Sequence, residues 1–593
     1  MKKRSVFLRS LRTLSPEDSG RISRLLALAV ITALVEVAGV GSIAPFVAML
    51  TQPEHALANP YLERLNNLLG FTDFSQMLVF LGTSVVLITL LRNTLFALKE
   101  WFFAHYLALI KHNLSSELLM HYLRQPYPYF LTRNTQELQR NVAEETRIVV
   151  DGVLRPSITA IAQLCTSVAI IGLLILVNPF VALVTLVVLG MLYLSIYYFI
   201  NRRLGDLSTL RKRLRKMRFQ LAGEALSGVK ALILSGNQQT YADEYRKLSM
   251  MNAKAEARGL VFGNIPRFAV ESVALVGLIL FIVLDTSNTV GGATNLPLIA
   301  LYLMAGYRLL PALQSLYASV TSIRFENESY KTLQQDLVQG SDTSIERTLQ
   351  DRLVFEHGLH FTDVSYQYPE ASDRALKSMT FTIRPNETVA VVGKTGAGKS
   401  TLIDLVLGLI DPTEGEITVD QKPLADCRRA WQRQIGYVPQ QVYIADDTVT
   451  RNIAFGVPKE NIDRKRVTDA ATAAGIHDHI ANNLEKGYDT LLGERGIRLS
   501  GGQCQRLGLA RALYDEPGVL VFDEATSALD ESTERSIMLA IRALAATHTI
   551  ILIAHRKSTI DYCERIILIE SGQIVEDAAT AEMCSSIFRE LFG

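Results

Sequence analysis

A chain of 593 residues exceeds what a single hydrophobic core serves, so at least two domains are expected. A formal net charge of +1, with no basic stripe interleaved with aromatics in the C-terminal half, argues against nucleic-acid binding as the main task. Cys165, Cys427, Cys504, Cys563 and Cys584 form no CxxC pair, and their scatter implies neither a disulfide frame nor a zinc site.

The basic start "MKKRSVFLRSLRTLSPEDSGR" leads into a long apolar run without a small-residue cleavage pattern, which predicts a retained first membrane span. A bilayer core takes about 20 apolar residues as helix. Runs of that size near 24–50, 77–98, 157–177, 180–200, 266–284 and 296–320 predict six spans in a membrane domain covering residues 1–320. With the N-terminus inside, the outer segments 51–76, 178–180 and 285–295 hold a single basic residue, Arg64. The inner segments hold Lys111, Arg124, Arg133, Arg140, Arg147, Arg155 and the run "RRLGDLSTLRKRLRKMR", so both termini are expected in the cytosol. That run reads first as the solvated face of a helix leaving the membrane, and second as a contact for anionic lipid. The outer stretch "NPYLERLNNLLGF" repeats leucines at helical spacing, as a short amphipathic helix at the interface or packed on the first two spans. Residues 321–352 turn polar and are expected to be a helical exit and a linker to a soluble domain over 353–593.

Within that last segment, "TVAVVGKTGAGKST" reads as an apolar strand, a glycine-rich turn and a helix start. It matches GxxxxGK[ST] over Gly393, Lys394, Thr395, Gly396, Ala397, Gly398, Lys399 and Ser400, with Thr401 following. Such a turn curls backbone N–H groups around phosphates, Lys399 reaches the β- and γ-phosphates, and Ser400 can ligate Mg²⁺. Downstream, "VLVFDEATSALD" ends an apolar strand in Asp523, suited to Mg²⁺, and Glu524, suited to activating water. Between them lies "LSGGQCQR", which begins with Leu499, Ser500, Gly501, Gly502 and Gln503.

These motifs resemble the nucleotide-binding domain of ATP-binding cassette (ABC) transporters, with LSGGQ as the most specific mark. The resemblance implies ATP and Mg²⁺ as cofactors and an ATPase coupled to transport. It implies that Tyr368 stacks on adenine, that Gln440 touches Mg²⁺, that Glu494 senses coupling helices, that Asp530 closes the D-loop and that His555 is the switch at the γ-phosphate. Cys504, where a polar residue is usual, and Lys557, where an apolar one is common, are small departures. Because family members bind ATP between the P-loop of one domain and the LSGGQ of another, the resemblance implies a homodimer, with a heterodimer left open. The implied fold is an α-helical six-span membrane domain of the exporter (type IV) kind, exchanged between the two chains of a dimer, plus an α/β P-loop nucleotide-binding domain. Coupling helices are expected near 120–135 and 220–230.

The spans must speak for the cargo. Arg92, Arg267 and Arg308 interrupt apolar sequence, with Glu36 and Glu271 as acidic counterparts. Charges at such depth cost roughly 2.5 to 3.5 kcal/mol on insertion scales, so they face a bundle interior or a cavity. Two readings stand: ion pairs that only hold helices together, or a positive surface of the three arginines that grips an anionic headgroup. The stretches "LVEVAGVGSIAPFVAML", "NIPRFAVESVALVGLILFIVL" and "AGYRLLPALQSLYASV" resemble the spans of bacterial lipid-linked oligosaccharide flippases of the PglK type. That resemblance implies a polyprenyl-pyrophosphate glycan turned from the inner to the outer leaflet of the bacterial inner membrane. A multidrug, lipid or peptide exporter of the same architecture is the alternative, and an ATP-gated channel or regulator a distant one.

Overall fold

Long apolar stretches bounded by Pro, Gly and Asn build the N-terminal half of the computed structural model from helices alone. The structure describes residues 16–51, 60–69, 71, 73–288, 296–338, 353–369, 371–493, 496–525, 531–554 and 556–582. It divides into two units, Met1–Gln125 with Thr132–Ile345, and Pro126–Leu131 with Glu346–Gly593.

In the first unit, α1 (Pro16–Gly41) stops at Ser42, whose hydroxyl donates to the Gly39 carbonyl at 3.0 Å, and α2 (Ile43–Thr51) resumes the path. The short α3 (Pro60–Leu69) precedes α4 (Phe74–Leu123), a helix of 50 residues. At 1.5 Å per residue α4 is ~75 Å long, well over twice a hydrocarbon core of about 30 Å, so much of it stands in water. The segment α5 (Tyr127–Leu131) belongs to the other unit. The helical run α6 (Thr135–Val177) contains two π-helical stretches, Asn141–Glu145 and Val150–Leu154. Then follow α7 (Pro179–Ser227), α8 (Val229–Ser235), α9 (Gln238–Asn288), α10 (Leu296–Phe325) and α11 (Asn327–Val338).

Five of the apolar runs singled out in the sequence each lie on one of these helices, and the run 24–50 is divided between α1 and α2 at Ser42. By length and composition four of the described helical runs can cross a membrane: Glu17–Thr51, Phe74–Leu123, Thr135–Val177 and Gln238–Gly277. Val40, Ile170, Leu174, Ala182, Val270, Leu301, Ala305 and Leu309 form a buried core drawn from α1, α6, α7, α9 and α10. Leu90, Val168, Leu176, Leu183 and Leu194 stay exposed, as suits surfaces solvated by lipid.

Two expectations shift. The coupling helix expected near 220–230 is not a separate element over that range, because α7 remains helical through Ser227 and the short α8 begins at Val229. The stretch 321–338 is not linker: α10 runs to Phe325, and α11 buries Ser329, Tyr330, Leu333 and Asp336 in the first unit. Asp336 accepts from Tyr122 Oη (2.6 Å), Asn141 Nδ2 (3.1 Å) and Arg133 Nη1 (3.2 Å). Glu326 pairs with Arg211 and, at 3.3 Å, with Arg215. Burial holds the Glu326 carboxyl above the usual carboxylate range, against the pull of both arginines.

The second unit is α/β. β1 (Leu359–Tyr366), β2 (Leu376–Ile383), β4 (Glu414–Val419) and β5 (Lys422–Pro423) form an antiparallel sheet in the order β2-β1-β4-β5. The second sheet has the order β10-β9-β3-β8-β7-β6, from β3 (Thr388–Val392), β6 (Ile435–Val438), β7 (Val519–Asp523), β8 (Thr549–Ile553), β9 (Arg565–Glu570) and β10 (Gln573–Ala579). Its inner strands are parallel, and only β10 runs antiparallel, at an edge. Parallel strands covered on both faces read as continuous apolar runs, which is why "TVAVV" and "TIILI" show no alternation although every residue is buried. Ala390 and Val392 enter one core and Val389 and Val391 the other, so β3 divides its side chains between two faces.

Candidate nucleotide site

Where β3 ends, the chain turns through the glycine-rich loop into α12 (Lys399–Val406). Gly398 has φ +106°, and a Cβ there would lie 2.7 Å from the Ala375 carbonyl and 2.7 Å from Leu376 Cδ2. A Cβ on Gly393 would lie 2.2 Å from the Ile569 carbonyl, so β9 presses directly on the loop. Only glycine fits both places. The loop wraps Lys399, which is buried and donates from Nζ to the carbonyls of Gly393 (2.8 Å) and Lys394 (3.1 Å). Burial lowers the Lys399 ammonium below its ordinary pKa, opposed by the carboxylates of Glu524 and Asp523. Ser400 is exposed at the start of α12, and Thr401 Oγ1 lies 3.1 Å from Tyr368 Oη. Tyr368 meets Tyr366 edge-on at 5.0 Å.

The carboxylates come from the end of β7. Asp523 Oδ2 accepts from Tyr437 Oη at 3.4 Å, and Glu524 Oε2 accepts from Gln440 Nε2 at 2.8 Å. Glu524 sits at φ +49°, a left-handed conformation that lifts it off the strand path. Gln505 Nε2 donates to the Gln440 carbonyl at 2.9 Å, tying the signature helix α13 (Gly501–Leu513) to this edge. Gln505 and Tyr437 were not singled out in the sequence; the place of Gln505 two residues beyond LSGGQ was the available signal. Burial, with Asp523 adding to it, pushes the Tyr437 phenol up, and the same two causes push the Asp404 carboxyl on α12 up to about 6. In this unit Tyr127 of α5 is also raised, by burial first and then by the charges of Asp404 and Tyr368.

The signature residues are organised by a cap. Ser500 precedes α13, Gln503 N donates to Ser500 Oγ at 3.3 Å, and Ser500 N donates to Gln503 Oε1 at 2.7 Å. Inside the helix, the N–H groups of Gly501 and Gly502 in this first turn have no intrahelical acceptor. Such a terminus suits an anion. Asp530, His555 and Glu494 lie outside the described residues.

In the first unit the arginines separate. Glu36, buried, lies 3.7 Å from Arg92 Nη1 and 3.3 Å from Arg308 Nε, so one carboxylate serves two guanidinium groups. Arg267 pairs instead with Glu271, one helical turn on, at 2.7 Å. The positive surface expected of three arginines is thereby reduced to one unbalanced charge at Arg92 and Arg308. Tyr307 carries the Arg308 guanidinium over its ring at 5.1 Å and lines, with Arg267, Glu271, Tyr193 and Gln314, a cavity of about 360 Å³. Tyr193 also lines a second cavity of about 400 Å³, walled by Leu174, Leu186, Leu309, Leu313 and Tyr317.

A P-loop lysine, a strand-end carboxylate pair and a capped signature helix on one α/β unit, joined to long membrane helices, define an ATPase coupled to transport. The model of the ABC transporter family matches residues 376–527, and that of the ABC transporter transmembrane region matches residues 25–296. The chain belongs to the ABC transporter family, as an exporter half-transporter that carries one membrane domain and one ATP-binding domain. It is 33% identical over 480 residues to the ATP-dependent lipid A-core flippase of Cupriavidus metallidurans, covering 78% of this chain and 77% of that one. It is 42% identical over 245 residues to the uncharacterized ABC transporter ATP-binding protein YfiB of Bacillus subtilis, covering 41% and 42%. In fold it is similar to a bacterial Atm1-family ABC exporter solved with ATP bound, at a TM-score of 0.79 and 23% identity over 95% of this chain and 96% of that one.

Proposed function

We propose that this exporter is a homodimeric flippase of the bacterial inner membrane, with both termini in the cytosol, that turns an anionic glycolipid from the inner to the outer leaflet. The observation that carries the reading is the pair of cavities sharing Tyr193, one apolar and one holding the Arg267–Glu271 pair with Gln314. An amphipathic cargo needs both environments within one molecular length. The relatives named ATP-dependent lipid A-core flippases support a lipid cargo. The resemblance of the spans to lipid-linked oligosaccharide flippases supports a polyprenyl-pyrophosphate glycan. Arg92 and Arg308, with one charge beyond what Glu36 neutralises, are assigned to the headgroup.

On the nucleotide side, the fit is chemical. Ser400, Asp523 and Gln440 offer hard oxygen donors for Mg²⁺, and the bond from Gln440 Nε2 to Glu524 leaves the Gln440 amide oxygen available. Mg²⁺, when bound, spreads the negative charge of the β- and γ-phosphates. Lys399 binds the same phosphates after exchanging its two carbonyl contacts, Tyr368 stacks on adenine, and LSGGQ of the partner closes the site. Glu524 accepts the proton of the attacking water, and His555 orients the γ-phosphate.

The test uses purified protein in sealed liposomes holding either a polyprenyl-pyrophosphate oligosaccharide or a lipid A-core glycolipid. Glycan accessibility on the leaflet away from the ATP-binding domains is followed, with Glu524→Gln as control. ATP-dependent appearance of one glycolipid identifies the cargo. Appearance of neither, with ATPase activity stimulated by apolar drugs, would replace this reading with a multidrug exporter, which the apolar cavity beside Leu309 and Leu313 would also accommodate.

A further inference from the structure

Within the first unit, the water-side portions of α6, α7 and α11 enclose a polar cavity of about 640 Å³. Arg133, Arg140, Lys212 and Lys216 line it against only two carboxylates, Glu137 and Asp336. Both carboxylates are engaged: Asp336 with Arg133, and Glu137 with Lys216 at 2.9 Å and Arg140 at 4.0 Å. Among the described residues, Lys212 reaches only neutral oxygens, Thr332 Oγ1 and the Glu328 carbonyl. Arg140 is 3% exposed; its Nη2 donates to Asn141 Oδ1 at 3.3 Å, and among the described residues its Nε has no hydrogen-bond partner. Glu145 lies 3.8 Å from its Nη2 but does not line the cavity. Counting Glu145, the four cations exceed their carboxylates by one charge, so the cavity holds a net positive charge with room for an anion.

We propose that this cavity binds a soluble phosphorylated solute of the cytosol. The phosphate meets Lys212, Lys216 and the Arg140 fork, the geometry in which arginine engages phosphate oxygens. Amide side chains on the walls, among them Gln136, Gln220 and Gln335, supply donors and acceptors for hydroxyl groups, so a sugar phosphate suits the lining better than inorganic phosphate alone. The volume falls in the range of small-molecule sites.

A lipid headgroup carries the same chemistry but cannot reach. The apolar part of α7 ends near residue 200, so Lys212 and Lys216 stand roughly 18 and 24 Å beyond it at 1.5 Å per residue. The headgroup layer is only about 5 to 8 Å deep.

The experiment measures binding of radiolabelled glucose 6-phosphate to full-length protein in nanodiscs of zwitterionic phosphatidylcholine. Expected are saturable binding, displacement by inorganic phosphate but not by glucose, and retention in Lys399→Ala, which lacks the P-loop contact. The paired variant Lys212→Gln/Lys216→Gln, at half-exposed and exposed positions that leave the fold intact, is expected to bind about tenfold more weakly. Arg140→Gln should weaken binding similarly, and its melting temperature separates that loss from misfolding. No saturable binding, equal binding by the lysine variant, or loss in Lys399→Ala would overturn the proposal. So would loss of binding in nanodiscs containing phosphatidylglycerol, which would assign the cavity to a headgroup.

Discussion

Removing the Glu36 carboxylate is expected to destabilise the membrane unit more than removing either of its arginines. Glu36 stands 3.3 Å from Arg308 Nε and 3.7 Å from Arg92 Nη1 with a side chain only 6% exposed. At an effective dielectric constant of about 20, these contacts are worth about 5 and about 4.5 kcal/mol of Coulomb attraction, offset by desolvation and by repulsion between the arginines. Glu36→Gln keeps the shape, deletes both attractions and leaves the repulsion, so a net loss of about 3 to 5 kcal/mol is expected, as for other broken buried pairs. Arg308→Gln keeps the Arg92 contact and should cost less. The double variant Glu36→Gln/Arg308→Gln removes one of the two stranded charges and should recover part of the loss. Thermal unfolding of the purified protein in nanodiscs reads all three. An unchanged melting temperature for Glu36→Gln, or a double variant less stable than Glu36→Gln alone, would refute the shared-carboxylate account.

Glu524→Gln should retain ATP binding but lower steady-state hydrolysis by about 10² to 10⁴-fold, read as phosphate release, because the base next to Gln440 is gone. Gly398→Ala should abolish nucleotide binding and lower stability by about 1 to 3 kcal/mol, since φ +106° strains alanine and Cβ meets Ala375 and Leu376; nucleotide binding and melting curves measure it. Asp404, raised to about 6, is a carboxyl whose contribution to stability is fully present below its unfolded value of 3.8 and lost as pH rises through 6. In nucleotide-free protein with chelator, Asp404→Asn should therefore melt higher than wild type at pH 8, with the difference vanishing near pH 4.

The nucleotide site was legible because its chemistry is written in contiguous strings. Gly393 to Ser400 run from one glycine-rich turn into the start of one helix, Asp523 and Glu524 close one strand and its exit, and Ser500 and Gln503 cap one helix. Positions that depend on distant partners were not. Glu36 is joined to Arg92 and Arg308 across three helices, and no local spacing shows that a single carboxylate serves both. The Gln440 to Glu524 bond likewise closes over 84 positions. In 327–338 the polar composition concealed a packed helix, because the residues it buries at positions 329, 330, 333 and 336 include a serine and an aspartate held by hydrogen bonds and ion pairs rather than by apolar contact. Hydropathy cannot register burial of that kind.

The two π-helical stretches in α6 bear on how this helix tolerates change in length. Each i→i+5 turn accommodates about one residue more than an α-turn, and one residue turns the helix by about 100°. The π-helical stretches take up that rotation between Thr135–Arg140 and Arg155–Val177. Deleting a single residue from Asn141–Glu145 would convert that stretch to regular α-helix without swinging either neighbour around the axis, whereas the same deletion within Arg155–Val177 would rotate Ile170 and Leu174 out of the core they fill. The helix thus holds a reserve of slack at one level of its length and none at another.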